Sequence, residues 1–354
     1  MKVLKSILNH IFIEAMSGMA TGLFATLIIG TIFAQLGGLI GGPVGSYVVI
    51  AGKAAQAVTG AGIGVGVAHR LKAQTYVMLS SATAGMVGAF ASKILAGTFF
   101  ADGVVHLAGP GEPLGAFIAA IIAVDVGSLV AGKTKVDILV TPLVSILSGS
   151  TVGLLLGPPI SRFMAGIGAM VNWGTEQQPL LMGIVVSVLM GMILTLPISS
   201  AAIGVVLNLS GIAAGAAAVG CCANMVGFAV ASWRENKLGG LVAQGLGTSM
   251  LQMPNIMRHP VIWLPEILAS AILGPVSTML LRMTNNATGS GMGTAGLVGP
   301  IMAYQTMVQT QNPAWVLAQI ILMLFVLPGL LSLLFSELFR KWGWIRPGDM
   351  KLAL

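Results

Sequence analysis

Residues 284–300 read Thr-Asn-Asn-Ala-Thr-Gly-Ser-Gly-Met-Gly-Thr-Ala-Gly-Leu-Val-Gly-Pro. The stretch holds two asparagines, hydroxyls at Thr284, Thr288, Ser290 and Thr294, and glycines at 289, 291, 293, 296 and 299, between two apolar segments of membrane-spanning length. In hydrocarbon, every backbone amide or carbonyl without a partner carries a large desolvation cost, so such a flexible segment cannot face lipid. It has to line a protein cavity. Broken, glycine-rich segments bearing small donors are the usual sign of a solute site in a transporter. Asn285, Asn286, Thr288, Ser290 and Thr294 are therefore candidate solute-binding residues.

The rest of the composition agrees with a membrane location. The chain has 354 residues, 56% hydrophobic and 8% charged, with a mean hydropathy of +0.95. A soluble domain carries about 25% charged residues, which excludes a globular cytosolic protein. Gly 48 and Met 21 beside few aromatics describe closely packed membrane helices, where small residues let backbones approach. The net charge of +7 is not gathered into a patch. Its basic residues fall in short connecting loops, as the positive-inside bias predicts, so no nucleic-acid partner is expected. Cys221 and Cys222 are adjacent inside an Ala/Gly-rich run and lack C-x-x-C spacing, so they read as small packing residues. No cofactor or metal site is expected. The start, Met-Lys-Val-Leu-Lys, runs into an apolar segment without a small-residue cleavage site, which predicts no cleavable signal peptide.

Segments near the roughly 20 residues needed to cross a bilayer are expected at 11–36, 44–67, 74–97, 114–131, 137–157, 179–200, 203–231, 238–257, 261–281, 292–310 and 314–336. Residues 160–175 are too short and mixed to assign. The fold class is thus an all-α polytopic membrane protein of about 10–12 segments, some broken or re-entrant and rich in glycine. The chain also repeats itself. Ile63–Ala68 matches Val226–Ala231, Leu139-Val-Thr-Pro142-Leu matches Leu297-Val-Gly-Pro300-Ile, and 16–32 resembles 181–197, at separations of about 158 to 165 residues. This favours a duplicated unit, with repeats at 1–177 and 178–354, the second closing on a C-terminal helix and basic tail. Lys2 and Lys5, Arg70 and Lys72, and Lys133 and Lys135 fall on one side of the membrane, with Asp102 and Glu112 on the other. Counting back from Arg340, Lys341, Arg346 and Lys351 puts Arg234, Lys237 and Arg282 inside as well. The two counts agree only for an even number of spans, ten or twelve.

The first-half counterpart of the opening stretch is Gly132-Lys-Thr-Lys-Val-Asp-Ile-Leu-Val-Thr-Pro142. Either it is a cytoplasmic loop whose Asp137 sits at a helix N-terminus, where the dipole favours it, or it dips inward. In the second case Lys133, Thr134, Lys135 and Asp137 face a polar or anionic solute. Glu14, Lys53, Lys93, Asp125 and Glu266 fall within apolar runs, where a charge costs at least about 2.5 kcal/mol and usually faces the bundle interior. Asp125 and Glu266 lie deepest. They are candidates for a coupling proton, or else for structural pairs with Lys53, Lys93 or a backbone donor. Gln56 and Thr59 sit one turn from Lys53 and would share its face. Asn208, with Ser199 and Ser200 after Pro197, marks a polar break. Gln56 and Asn208 join the solute-binding candidates, although helix packing explains them equally well.

The pair formed by Lys-Thr-Lys-Val-Asp-Ile (133–138) and Asn286–Pro300 resembles the stand-alone IIC-like branch of phosphotransferase-system sugar permeases, a branch often labelled toxin (perfringolysin) regulators. The resemblance implies a multi-pass bacterial inner-membrane permease, a homodimer in membrane lipid, carrying a sugar or related polyhydroxylated solute. In that superfamily, IIA and IIB proteins phosphorylate the incoming sugar. The sequence contains no soluble IIA or IIB region. Its histidines, His10, His69, His106 and His259, lie at predicted span ends, so phosphotransfer would need those partners from outside. Two functions are expected in competition: a permease with its solute held between the halves by 133–142 and 284–300, or a membrane-embedded ligand sensor without net transport. A membrane enzyme is disfavoured by the lack of H-E-x-x-H, G-x-S-x-G, P-loop or an activated nucleophile.

Overall fold

The computed structural model describes residues 9–101, 103–107 and 109–352. Lys2, Lys5 and Asp102, on which the charge count partly rests, lie outside them. Almost everything described is helical, as hydrocarbon requires of a spanning backbone. Among the described residues, six helices are long and apolar enough to cross a membrane, or seven when one bent pair counts as a single span. The other expected segments are short or broken helices. The chain divides into two compact units, Met1–Phe163 and Met164–Leu354.

The first unit begins with α1 (His10–Gly38), followed by α2 (Gly42–Ala57), α3 (Thr59–Arg70), α4 (Thr75–Ala89) and the short α5 (Ala91–Leu95). A two-residue antiparallel hairpin then pairs Phe100 with Val105. Next come α6 (Pro113–Val130) and α7 (Asp137–Thr175), within which the unit boundary falls. Segment 44–67 is not straight: α2 and α3 meet at 55°, with Val58 leaving helical geometry between them. Glycine makes the packing. A Cβ on Gly18 or Gly22 of α1 would strike the backbone of Gly66 or Gly62 on α3. Both helices therefore present a small-xxx-small face at backbone contact.

Between α4 and α6, Gly111 takes a left-handed φ of +72° and the amide of Glu112 donates to Ala89 O at 2.8 Å. The Glu112 carboxyl sits just outside α6, with Oε1 buried and unpartnered. Burial pushes it up to about 7, and a backbone hydrogen bond from Leu114 pulls weakly the other way.

The second unit is arranged around α10 (Gly211–Ala231), whose side chains are almost all buried. Against it pack α8 (Pro179–Thr195), α13 (Pro260–Leu281) and α16 (Pro313–Lys341). Proline opens α6, α8, α13 and α16, where its missing N–H costs nothing. Inside α13 and α16, Pro275 and Pro328 lie beside wide turns at Val276–Leu281 and Leu322–Val326. A proline removes a ladder bond, and the helix relaxes into a looser turn. Segment 203–231 splits into α9 (Ser200–Val206) and α10, with Asn208 at φ +49° between them. Segment 238–257 is a series of short turns: α11 (Trp233–Val242), broken at Lys237, then wide and tight turns, then α12 (Met253–Arg258).

Polar side chains stitch this unit internally. Asn224 of α10 accepts from Trp263 Nε1 at 2.9 Å and from Thr195 Oγ1 at 3.1 Å. Ser187 of α8 donates to Ser270 O at 2.8 Å. The C-terminal tail is drawn in by amides: Asn236 and Gln252 donate to Met350 O at 2.8 and 2.9 Å, and Asn255 donates to Lys351 O at 2.9 Å.

Candidate functional site

Two broken segments of the second unit meet, and the opening stretch is one of them. After α13, Arg282 turns the chain with a left-handed φ of +46°. Met283 N then closes back on Ser277 O at 3.0 Å. Asn285 is 1% exposed and fixes the loop at three points. Its amide donates to Gly211 O at 3.2 Å, its Nδ2 donates to Gly299 O at 3.1 Å, and its Oδ1 accepts from Asn286 N at 2.9 Å. Asn286 caps the one-turn helix α14 (Ala287–Ser290) by accepting from Gly289 N at 2.9 Å, the role Asn favours before a helix. Its Nδ2 approaches Met302 Sδ at 3.3 Å.

Beyond α14 the chain needs glycine. Gly293 has φ +52°, and a Cβ there would press on Cys221 and Met225 of α10 at 3.0 Å. Gly296 and Leu297 also take left-handed φ, at +53° and +60°, before α15 (Val298–Met307) starts. The second broken segment, around α9, closes over α14. Ser200 Oγ donates to Gly291 O at 2.6 Å, and a Cβ on Gly204 would strike Ser290 Oγ. Much of the loop is thus covered by protein, with Thr288 and Leu297 left exposed.

The five candidates from this stretch divide by what they touch. Ser290 and Thr294 are fully buried and bond to the chain itself, Ser290 Oγ to Ala287 O at 2.8 Å and Thr294 Oγ1 to Gly245 O at 2.5 Å. With Asn285 they hold the loop in shape. Asn286 is half-buried and Thr288 exposed, so these two are the polar side chains at the loop surface.

Arg282, at the loop entrance, borders a hollow of about 420 Å³ together with Gln311, Asn312, Trp315 and Gln319. Gln319 is 3% exposed. Its Nε2 donates to Gln311 Oε1 at 3.0 Å, while its Oε1 has no partner. The exposed Arg282 guanidinium bordering this hollow suits a small molecule with an anionic group, while Gln319 Oε1 is closed off from it. Sequence reading missed this group. The available signal was three polar side chains, Gln311, Asn312 and Gln319, around the Pro313 helix start.

The remaining candidates stand elsewhere. In the first unit, Asp137 Oδ1 accepts from Gly132 N at 2.8 Å and from Thr141 Oγ1 at 2.6 Å, so it closes the turn at the start of α7. Lys133, Thr134 and Lys135 are exposed on that turn. Gln56 Nε2 donates to Thr31 Oγ1 at 3.2 Å. Thr59 lies past the Val58 bend and donates to Gln56 O at 2.6 Å, which removes it from a shared stripe with Lys53. Asp125 pairs with His10 Nε2 at 2.9 Å, a partner 115 residues away that sequence reading placed only at a span end. Asn208 is exposed at its break, and Glu266 is fully buried in α13. Among the described residues, no group of three His, Cys, Asp or Glu side chains could hold a metal ion.

A bundle of apolar helices enclosing a broken, glycine-rich polar segment defines the class of multi-pass membrane transport proteins. The family model described as phosphotransferase system, EIIC, matches residues 13–352. The chain belongs to that family and is a membrane permease component of the phosphotransferase type. No curated protein matches it.

Proposed function

We propose that the chain is a permease for a sugar or a related polyhydroxylated or anionic small solute, bound in the second unit beside the 282–297 loop. Asn286 and Thr288 meet solute hydroxyls, Arg282 receives an anionic end, and Asn285, Ser290 and Thr294 keep the loop rigid. The observation that carries this reading is a largely buried loop held by bonds from Asn285, Ser290 and Thr294, with Arg282 at its entrance bordering a hollow: few, placed polar groups beside a concave surface. Lys133, Thr134, Lys135, Asp137, Gln56 and Asn208 contribute further polar contacts in this reading, and Asp125 and Glu266 serve coupling. The protein works as a homodimer in a bacterial inner membrane, and IIA and IIB proteins supply phosphate to the solute. Any influence on toxin expression, as the branch label suggests, is then indirect, through uptake.

Screening sugars, sugar acids and polyols for a rise in thermal stability of the detergent-solubilised protein identifies the solute, because a ligand that binds only the folded state raises its melting point. Reconstitution then decides the class. A permease exchanges that solute across proteoliposomes, whereas a sensor binds it without exchange. Loss of binding in R282A and T288A supports the site, and unchanged binding in both removes it.

A further inference from the structure

Past α16 the chain turns at Gly343 and Gly348, with left-handed φ of +75° and +96°, and lies back against α11, α12 and the irregular stretch between them. Two side chains anchor this tail: Ile345 and Met350 are buried, while Trp344, Arg346, Pro347, Gly348 and Lys351 are exposed. The rest is held by its main chain. Asn236 grips it from both sides, donating to Met350 O at 2.8 Å and accepting from Leu352 N at 2.8 Å. Gln252 donates to Met350 O and Asn255 to Lys351 O, each at 2.9 Å. Gly348 N lies 3.5 Å from Glu235 Oε1, which Arg340 holds at 2.9 Å. A segment with two buried side chains, held otherwise by bonds that water can replace, is the kind that opens locally ahead of the rest.

The bonds continue inward without a gap. Gln252 Nε2 also donates to Gln244 Oε1 at 2.8 Å, and Gln244 Nε2 donates to Ser232 Oγ at 2.9 Å. Both glutamines are fully buried. The next residue, Gly245, offers its carbonyl to the Thr294 hydroxyl at 2.5 Å. Every link from Met350 to Thr294 is therefore a direct hydrogen bond or a covalent bond, the kind of contiguous network that can carry coupling. The stretch in the middle is a wide turn at Ala243–Gly247, an extended Thr248 and a tight turn at Ser249–Gln252. Without a regular helical ladder, its shape depends on these side-chain bonds.

We propose that the C-terminal tail is a latch on the solute loop. Seated, it fixes Gln252 and Gln244, and through them the Gly245 carbonyl that steadies Thr294. Released, it leaves an amide hydrogen on each of Gln252 and Asn255 without an acceptor, which is costly where the group is buried. The 243–252 stretch then shifts to re-pair them, Gly245 moves and the loop loosens. The inference rests on the reading of 282–297 as the solute site and adds that the tail sets how tightly that site is held.

Hydrogen–deuterium exchange of the full chain in lipid nanodiscs, followed by mass spectrometry, needs no solute and so is decided apart from the permease reading. Met350→Ser removes the buried anchor. Amides of 284–297 should then exchange at least about tenfold faster, the effect of a lost buried bond on local opening, while those of α10 stay unchanged. M350L should restore the slow exchange. N236A removes two tail bonds from a half-buried position and should shift the loop the same way if the serine variant does not fold. In T294V the hydroxyl that receives the effect is gone, so adding M350S should speed the loop no further. Unchanged loop exchange in M350S and N236A, or an M350S effect as large in T294V as in the parent chain, overturns the latch. Faster loop exchange with unchanged binding of the solute found by thermal shift keeps the latch and removes the loop as the solute site.

Discussion

Between Asn285 and Thr294, burial separates side chains that build the loop from those that can meet a solute, and substitutions should separate them too. Thr294→Ala removes the bond to Gly245 O inside a buried site, so it should lower stability by about 1–3 kcal/mol, read as a lower melting temperature in detergent. Thr288→Ala touches an exposed hydroxyl. It should leave melting unchanged while weakening binding of the solute found by thermal-shift screening. Glu112 makes a pH-dependent prediction. Its pKa is raised from 4.5 to about 7 by burial, so the folded state binds more protons than the unfolded state between those values. Stability is then greatest below pH 4.5 and falls as pH rises to about 7, by at most about 3 kcal/mol. Melting temperatures measured across that range should show the decline, and E112Q should flatten it. The amino-acid string identified the polar residues of the loop but not their division of labour. That division is set in part by the carbonyl of Gly245, remote in sequence, which takes the Thr294 hydroxyl, just as the partner of Asp125 is the distant His10.

Among elements, glycine decides where helices touch. A Cβ on Gly220 of α10 would strike the backbone of Ser187 on α8, and neither helix can yield without disturbing the Ser187–Ser270 bond. Gly220→Ala should therefore cost about 1–3 kcal/mol by overpacking, seen as lower melting or lower yield of monodisperse protein. Gly38→Ala, where nothing lies within 4 Å of the added atom, should have no such effect. Hydropathy alone located the long spans at α1, α6, α7, α10, α13 and α16, because apolar length is what a bilayer selects. It did not show the bend at Val58, a change of backbone dihedral between Ala57 and Thr59. The polar break read at Asn208 is where that residue takes φ +49°, and the Lys237 break falls in the charged run Arg234–Lys237. The 284–300 stretch was legible for the opposite reason: its glycines and hydroxyls are dense enough to interrupt the apolar signal.

At the scale of the whole chain, family membership and the histidine placements make a joint prediction. His10 is tied to Asp125, and His259 lies 3.5 Å from Asp349, while His69 and His106 are exposed. Purified protein in proteoliposomes should therefore bind and exchange the solute without phosphorylating it. Labelled phosphate from phosphoenolpyruvate should reach the solute only when IIA and IIB proteins are added. Label transfer by the chain alone would contradict this.

The tail bears on how the molecule is made. Three amide side chains laid down between residues 236 and 255 wait for the main chain of Met350 and Lys351. Ribosomal synthesis delivers those acceptors about a hundred residues later, at roughly 5–20 residues per second. For several seconds those amides bond to water or to one another instead, as Gln252 does with Gln244 and Asn255 with Gln252, so this region reaches its final set of bonds only when the last turn emerges.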